Sequence, residues 1–295
     1  MTAPPGAYTV VEELERPAML AQEMLDWGSF DIQMMRHLDT NARHDDYMFI
    51  KISRKFATPP AVMLGLSSLE VDRGVGVRVN TSVDNIHKHI FGAHIRSWDN
   101  TFLYRAGCTW LAMPSEHPHF QLGSFCTWED PTWKPEKYVT HREVVFSHPY
   151  EAPPKVVLWL NKLDFCSQRN EHIMTFATDV TSTGFKAHIN SWGDTTVYGV
   201  GISWFAYPDG YPGICSGTVL PGNGTSGVVE FEKEFTNAPT AVLVGLSKLE
   251  SDKKKGRCSF NIIAEAVSEI GMGIRVECFG DTVLHSAGVA YIAIE

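Results

Sequence analysis

The sequence lacks any stretch approaching the ~20 uninterrupted apolar residues that a spanning helix needs, so a membrane-inserted helical protein is not expected. Cysteine never occurs as a CxxC pair, which removes zinc-ribbon and thioredoxin-type motifs. Nothing marks an oxidising compartment, so Cys108, Cys126, Cys166, Cys215, Cys258 and Cys278 are expected to be free, mostly buried thiols. Positive charge is in deficit. Lys plus Arg is 25 against 34 Asp plus Glu, a net charge of -9, and outside Lys253–Lys255 the basic residues are scattered. A nucleic acid is therefore not the expected partner. The N-terminus MTAPPGAYTVVEELERP has no basic flank followed by an apolar run, so the expected location is cytoplasmic or reached by a non-classical secretion route. The Asn80 and Asn223 glycosylation patterns are then silent.

Catalytic signatures are equally scarce, because no GxSxG elbow, Walker loop or HExxH helix occurs. Gly222 to Gly227 matches GxGxxG letter for letter, but it leads into Val228-Val-Glu-Phe-Glu, which alternates like a strand. A dinucleotide site needs a helix there to hold the pyrophosphate, so this segment is expected to be a loop opening the last part of the chain. Adjacent carboxylates such as Asp45-Asp46 and Glu129-Asp130 read as surface charge. Neither an enzyme nor a cofactor is expected.

What the sequence does contain is a repeat. PPAVMLGLSSLE, PPKVVLWLNKLD and PTAVLVGLSKLE begin at Pro59, Pro153 and Pro239, 94 and 86 residues apart. About thirty residues after each comes a second shared block: FGAHIRSWDNTFLYRAGCTWLAM, FKAHINSWGDTTVYGVGISWFAY and MGIRVECFGDTVLHSAGVAYIAI. Units of ~90 residues are domains in their own right. The expected organisation is an N-terminal extension over 1–23, with a short helix after Pro17, then domains over 24–114, 115–208 and 209–295.

Within each unit apolar residues recur at period two, as in Val62/Leu64/Leu66 and Val157/Trp159. Turn residues at Pro59-Pro60, Asp72-Arg73-Gly74, Thr183-Gly184 and Gly193-Asp194 separate short runs rich in Val, Ile, Phe, Tyr and Thr. The class is all-β.

The second unit carries the sharpest pattern: FSHPYEAPP from Phe146, VVLWLNKLD, TGFKA from Thr183, SWGDT from Ser191 and GISW from Gly201. It resembles the H-type lectin domain, the family of the snail agglutinins and of the discoidin C-terminal domain. The likeness covers a whole unit, is clear in the first two and is weaker in the third, degenerate one. It implies a six-stranded antiparallel β-sandwich and recognition of galactose or N-acetylgalactosamine. Family members assemble as trimers with the sugar near the contact between neighbours, so three tandem units suggest an intramolecular pseudo-trimer.

A sugar offers an apolar C–H face and a rim of hydroxyls, which call for an aromatic wall and directional polar groups. The first unit has both: Trp98 and Tyr104 beside a turn containing Asp99 and Asn100, with Arg78 a planar multi-donor upstream. The resemblance places Arg78, Trp98 and Tyr104 at the family's sugar-contacting positions and Asp99 where the snail protein has histidine. It further implies an acidic residue upstream, Asp45 or its neighbour Asp46. The second unit has His172 at the arginine position, Trp192, Gly193 and Tyr198; the third has Ser259, Phe279 and His285, with Arg257 nearby. Two readings stand for Trp98, Trp192 and Phe279, sugar contact or packing at one end of a sandwich, whereas Trp110, Trp204 and Tyr291 read as core. His87, His89 and His94 form the densest histidine cluster, but the aligned Thr181, Thr183 and His188 keep only one, so no metal is expected. The expected function is non-catalytic binding of glycans or glycoproteins bearing terminal galactose or N-acetylgalactosamine, with a homo-oligomer compatible. The alternative is a β-sandwich interaction module that has lost sugar binding.

Overall fold

The computed structural model describes residues 21–36, 44–72, 76–130, 134, 139–221, 226–252 and 257–295. The Lys253–Lys255 run and the first residues of the GxGxxG match lie outside them. A four-residue helix, α1 (Ala21–Met24), and a five-residue one, α2 (Ile32–Arg36), flank the first strand, and apart from a 3-10 turn at Thr127–Glu129 the other regular elements among the described residues are β-strands. The first repeat contributes β1 (Asp26–Asp31), β2 (Asp45–Lys51), β3 (Ala61–Asp72), β4 (Arg78–His87), β5 (Ile90–Arg96) and β6 (Leu103–Met113). The second contributes β7 (Gln121–Cys126), β8 (Val139–Val145), β9 (Lys155–Phe165), β10 (Glu171–Thr178), β11 (Gly184–Asn190) and β12 (Val197–Tyr207). The third contributes β13 (Ile214–Val219), β14 (Ser226–Glu230), β15 (Ala241–Ser251), β16 (Arg257–Glu265), β17 (Gly271–Cys278) and β18 (Leu284–Ile294). Because β14 begins where a dinucleotide fold would begin a helix, the GxGxxG match is not a nucleotide loop.

Six antiparallel strands per repeat are what the family resemblance implied, but no sheet belongs to one repeat. The three six-stranded sheets run β1-β6-β3-β16-β17-β14, β13-β18-β15-β10-β11-β8 and β2-β5-β4-β9-β12-β7. Each takes three strands from one repeat and three from another. The seams are β4 against β9, β10 against β15, and β16 against β3. Each repeat is thus a sandwich whose two halves continue into different neighbours.

The burial pattern follows. Strands with one solvated face alternate, as in β11, where Phe185, Ala187 and Ile189 are buried between less buried neighbours. The proline-block strands β3, β9 and β15 and the aromatic-block strands β6, β12 and β18 are buried on both faces, which is why their sequences run nearly continuously apolar. One face fills its own sandwich, where Phe91 meets Trp110 edge to face at 5.4 Å and Phe185 meets Trp204 at 5.5 Å. Trp110, Trp204 and Tyr291 are all core.

The other face converges on a core shared by all three repeats, containing Met63, Leu111, Val157, Phe205, Leu243 and Ile292. At its centre Trp159, fully buried, packs against Gly65 and Gly245 and donates its indole N–H to the Ala290 carbonyl at 3.0 Å. Gly65, Trp159 and Gly245 occupy one repeat position, 94 and 86 residues apart like the prolines. One indole fills space that three could not share, because a Cβ at either glycine would collide with its ring. No disulfide joins any of the six cysteines, and Cys108, Cys215 and Cys258 are buried while the other three are half-buried.

Candidate functional site at the seams between repeats

The strand register defines three equivalent seam positions. Arg78 lies directly across from Asp164, His172 from Glu250, and Ser259 from Glu70. One strand further on, Asp164 faces Gly199, Glu250 faces Ser286 and Glu70 faces Arg105. Beside each seam is a four-residue turn closed by the amide of Thr101, Thr195 or Thr282 donating to the carbonyl of Trp98, Trp192 or Phe279. The residue after the aromatic adopts left-handed backbone, φ 57° at Asp99, 67° at Gly193 and 65° at Gly280. Glycine takes this conformation freely and aspartate tolerates it, so the first turn carries a carboxylate where the others carry no side chain.

At the first seam that carboxylate reaches the arginine: Arg78 Nη2 lies 3.2 Å from Asp99 Oδ2. Arg78 Nη1 donates to Asn100 Oδ1 at 3.1 Å and to Thr101 Oγ1 at 3.2 Å, and Thr101 Oγ1 donates to the Gly76 carbonyl at 3.2 Å. From the second repeat, Asp164 Oδ1 stands 3.5 Å from Arg78 Nε, an ionic contact rather than a hydrogen bond. Burial pushes the Asp164 carboxyl up to about 6, against the opposing pull of Arg78 and Lys162. Lys162 is itself held below its ordinary range by burial. Its ammonium sits 5.4 Å from the Trp98 ring centre and 2.8 Å from that of Trp128, and the two indoles meet edge to face at 6.0 Å. Tyr198 is exposed near Asp164 and Arg78, with its phenol pKa raised by a hydrogen bond to Cys166.

The second seam is differently furnished. The His172 imidazole stacks on the Trp192 indole, ring centres 5.3 Å apart and planes 15° from parallel, and its Nδ1 donates to the Trp192 carbonyl at 3.3 Å. Lys248 lies 5.3 Å over the same indole and pairs with Glu250 at 2.8 Å, a hydrogen bond that holds the Glu250 carboxyl below its usual range. His172 therefore lies over one face of the wall that a ligand would use. At the third seam Ser259 is buried and Phe279 is exposed, while His285, on the repeat's last strand, pairs with Asp252 at 2.9 Å. The Arg257 side chain lies outside the described residues.

The structure regroups the residues singled out from the sequence. Arg78, Trp98 and Asp99 come together, but Tyr104 is on β6 in a different sheet, beside the seam to the third repeat. The tyrosine near Arg78 is Tyr198 of the next repeat, not the one that follows Trp98 in sequence, and Tyr198 is correspondingly apart from His172 and Trp192. Asp45 is on β2, two strands from β4, and is bound to His94 Nδ1 at 2.9 Å and Arg96 Nε at 3.0 Å. Partial burial raises its pKa, but those hydrogen bonds prevail and lower it. Asp46 is buried in a pair with Arg36 at 2.7 Å and faces the interior. Asp164, Lys162 and Trp128 were not singled out. The only signal for the first two was their repeat alignment with Glu250 and Lys248, and an acidic residue of one repeat can be matched to an arginine of another only through the strand register.

Among the described residues no group of three His, Cys, Asp or Glu side chains is placed to hold a metal ion, and the His94 ring nitrogens pair with Asp45 and Asp84. A cavity of about 670 Å³ is lined by Glu116, His117, Gln121, Ser147, His148 and Trp204 among others and includes none of the seam residues.

No curated protein sequence matches the chain. Among solved structures, native recombinant discoidin II of Dictyostelium discoideum is 14% identical, covering 65% of this chain and 98% of that one with a TM-score of 0.27. The wild-type discoidin II of the same organism is 15% identical, covering 64% and 96% with a TM-score of 0.26. The family profile of the H-type lectin domain matches residues 49–113, 141–207 and 226–294. These segments span more than half of the chain, each encloses one proline block and one aromatic block, and they show that the chain belongs to the H-type lectin domain family.

Proposed function

We propose that this protein is a non-catalytic lectin that binds galactose or N-acetylgalactosamine at the seam between its first and second repeats. The observation that carries the reading is the arginine at that seam. Arg78 is fixed by Asp99, Asn100 and Thr101 on its own repeat and by Asp164 on the next, beside the Trp98 indole. A planar donor held rigid before the ligand arrives loses little entropy on binding. The indole offers the apolar wall that the C–H face of a galactose-type ring needs, and Asp99 offers acceptors for its hydroxyls. No covalent chemistry is required.

The second seam is a weaker or altered site, because imidazole replaces guanidinium and stacks on Trp192. The third has neither the arginine nor the indole at the equivalent positions. Terminal galactose or N-acetylgalactosamine on glycans and glycoproteins is the proposed partner, with avidity supplied by oligomerisation where only one seam binds.

Isothermal titration with N-acetylgalactosamine, galactose and glucose tests this directly. Heat from the first two and not from glucose, at about one site per chain, is expected. Silence from all three at millimolar sugar would replace the lectin reading with that of an interaction module.

A further inference from the structure

Resting on that reading, we infer that Trp128 is a second stacking platform, extending the first-seam site so that it takes a galactose-terminated disaccharide rather than galactose alone. Trp128 stands on a 3-10 turn over Thr127–Glu129 and is 57% exposed. An exposed tryptophan of this kind is usually mobile, but this one is tied from several directions. Its Nε1 donates to the Tyr198 carbonyl at 2.9 Å, and the Lys162 ammonium lies over its ring. On one side of it Thr127 Oγ1 accepts from the Val200 amide at 3.0 Å; on the other, Glu129 accepts from the Cys126 amide at 3.2 Å and pairs with Arg142 at 2.8 Å. The Lys162 ammonium covers part of one face, and the rest of this large aromatic surface is held in place and left open to solvent.

The sequence of the strand beneath is matched to this role. Trp128 can lie on β12 only because residue 199 is glycine, where a Cβ would collide with the indole. The register positions equivalent to Gly199 are Arg105 and Ser286, which carry side chains. Phe30 of β1 and Phe125 of β7 occupy equivalent places opposite Cys108 and Ile202, so the first repeat has Gln33 where the second has Trp128. Tryptophan and glycine are paired at the first seam, the one that also holds Arg78. The Trp98 and Trp128 ring centres are 6.0 Å apart with planes at 65°, comparable to the spacing of adjacent pyranose rings. A ring seated at Trp98 and Arg78 therefore presents its glycosidic neighbour to Trp128.

The test uses the full chain carrying Trp192→Ala, so that only the first seam reports, titrated with galactose and with lactose. Lactose is expected to bind about tenfold more tightly than galactose. That ratio should fall to about one in Trp128→Ala and survive in Trp128→Phe, which keeps an aromatic face and guards against misfolding of the alanine variant. A ratio near one in the starting protein, or a ratio unchanged in Trp128→Ala, overturns the subsite while the galactose reading stands. Absence of galactose heat in the starting protein overturns both together.

Discussion

Arg78 and Asp164 lie directly opposite each other on neighbouring strands, yet 86 residues and a repeat boundary separate them in the chain. The first-seam site therefore exists only when the first two repeats share a sheet. Arg78→Ala is expected to lower sugar affinity by about 2 kcal/mol, the usual cost of truncating an anchor at a binding surface. Titration calorimetry on a variant with unaltered circular dichroism checks it, and an unchanged affinity would remove this seam as the binding site.

His172 should be convertible. Arginine at that position would face Glu250 as Arg78 faces Asp164, and would uncover the indole that the imidazole now stacks upon. His172→Arg is expected to raise the titration stoichiometry from about one sugar per chain towards two. A stoichiometry that stays at one means that the missing guanidinium is not what distinguishes the second seam.

Buried Asp164 and half-buried His117 give the stability opposing pH dependences. Asp164 has its folded pKa raised to about 6 from 3.8, so the folded state binds the proton more tightly than the unfolded one. Its contribution is full below about pH 4 and is lost as pH rises through 6. His117 is depressed by burial, with His119 and His148 adding to the shift, to about 4 from 6.5. The folded state keeps it neutral, and its contribution is lost as pH falls from 6.5 through 4. Thermal melts between pH 4 and 8 should show Asp164→Asn abolishing the fall that Asp164 contributes as pH rises from about 4 through 6. His117→Asn, which keeps an acceptor for the His119 and Phe120 amides, should soften the acid limb. Melting profiles identical to the parent in both variants would refute the assignment.

Trp159 links the three repeats mechanically. Trp159→Ala is expected to cost about 3–5 kcal/mol in denaturant unfolding, because it leaves a cavity and removes the indole's hydrogen bond to the Ala290 carbonyl. Gly245→Ala should cost about 1–3 kcal/mol by overpacking against the same ring. A loss below about 1 kcal/mol for Trp159→Ala would mean that the central core collapses to fill the gap.

The sequence by itself determined the class and the number of units. Strand periodicity is a local property, and two blocks recurring in order at nearly constant spacing need no knowledge of how the units pack. It also marked Arg78, Trp98 and Asp99 correctly as neighbours, since a strand start and the following turn lie close within one repeat. Only the tertiary structure decided which residues face one another across the seams, because sheet pairing between repeats joins positions that no sequence pattern connects. That is why Tyr104 was grouped with Arg78 although Tyr198 of the next repeat takes that place, and why Asp45 was chosen although its carboxylate is engaged by His94 and Arg96. Asp164 and Trp128 escape notice for the same reason: no pattern within one repeat joins either of them to Arg78. Hydrophobic patterning dictates which face of a strand is buried, whereas the neighbour it pairs with is selected by the packing of the whole chain around Trp159.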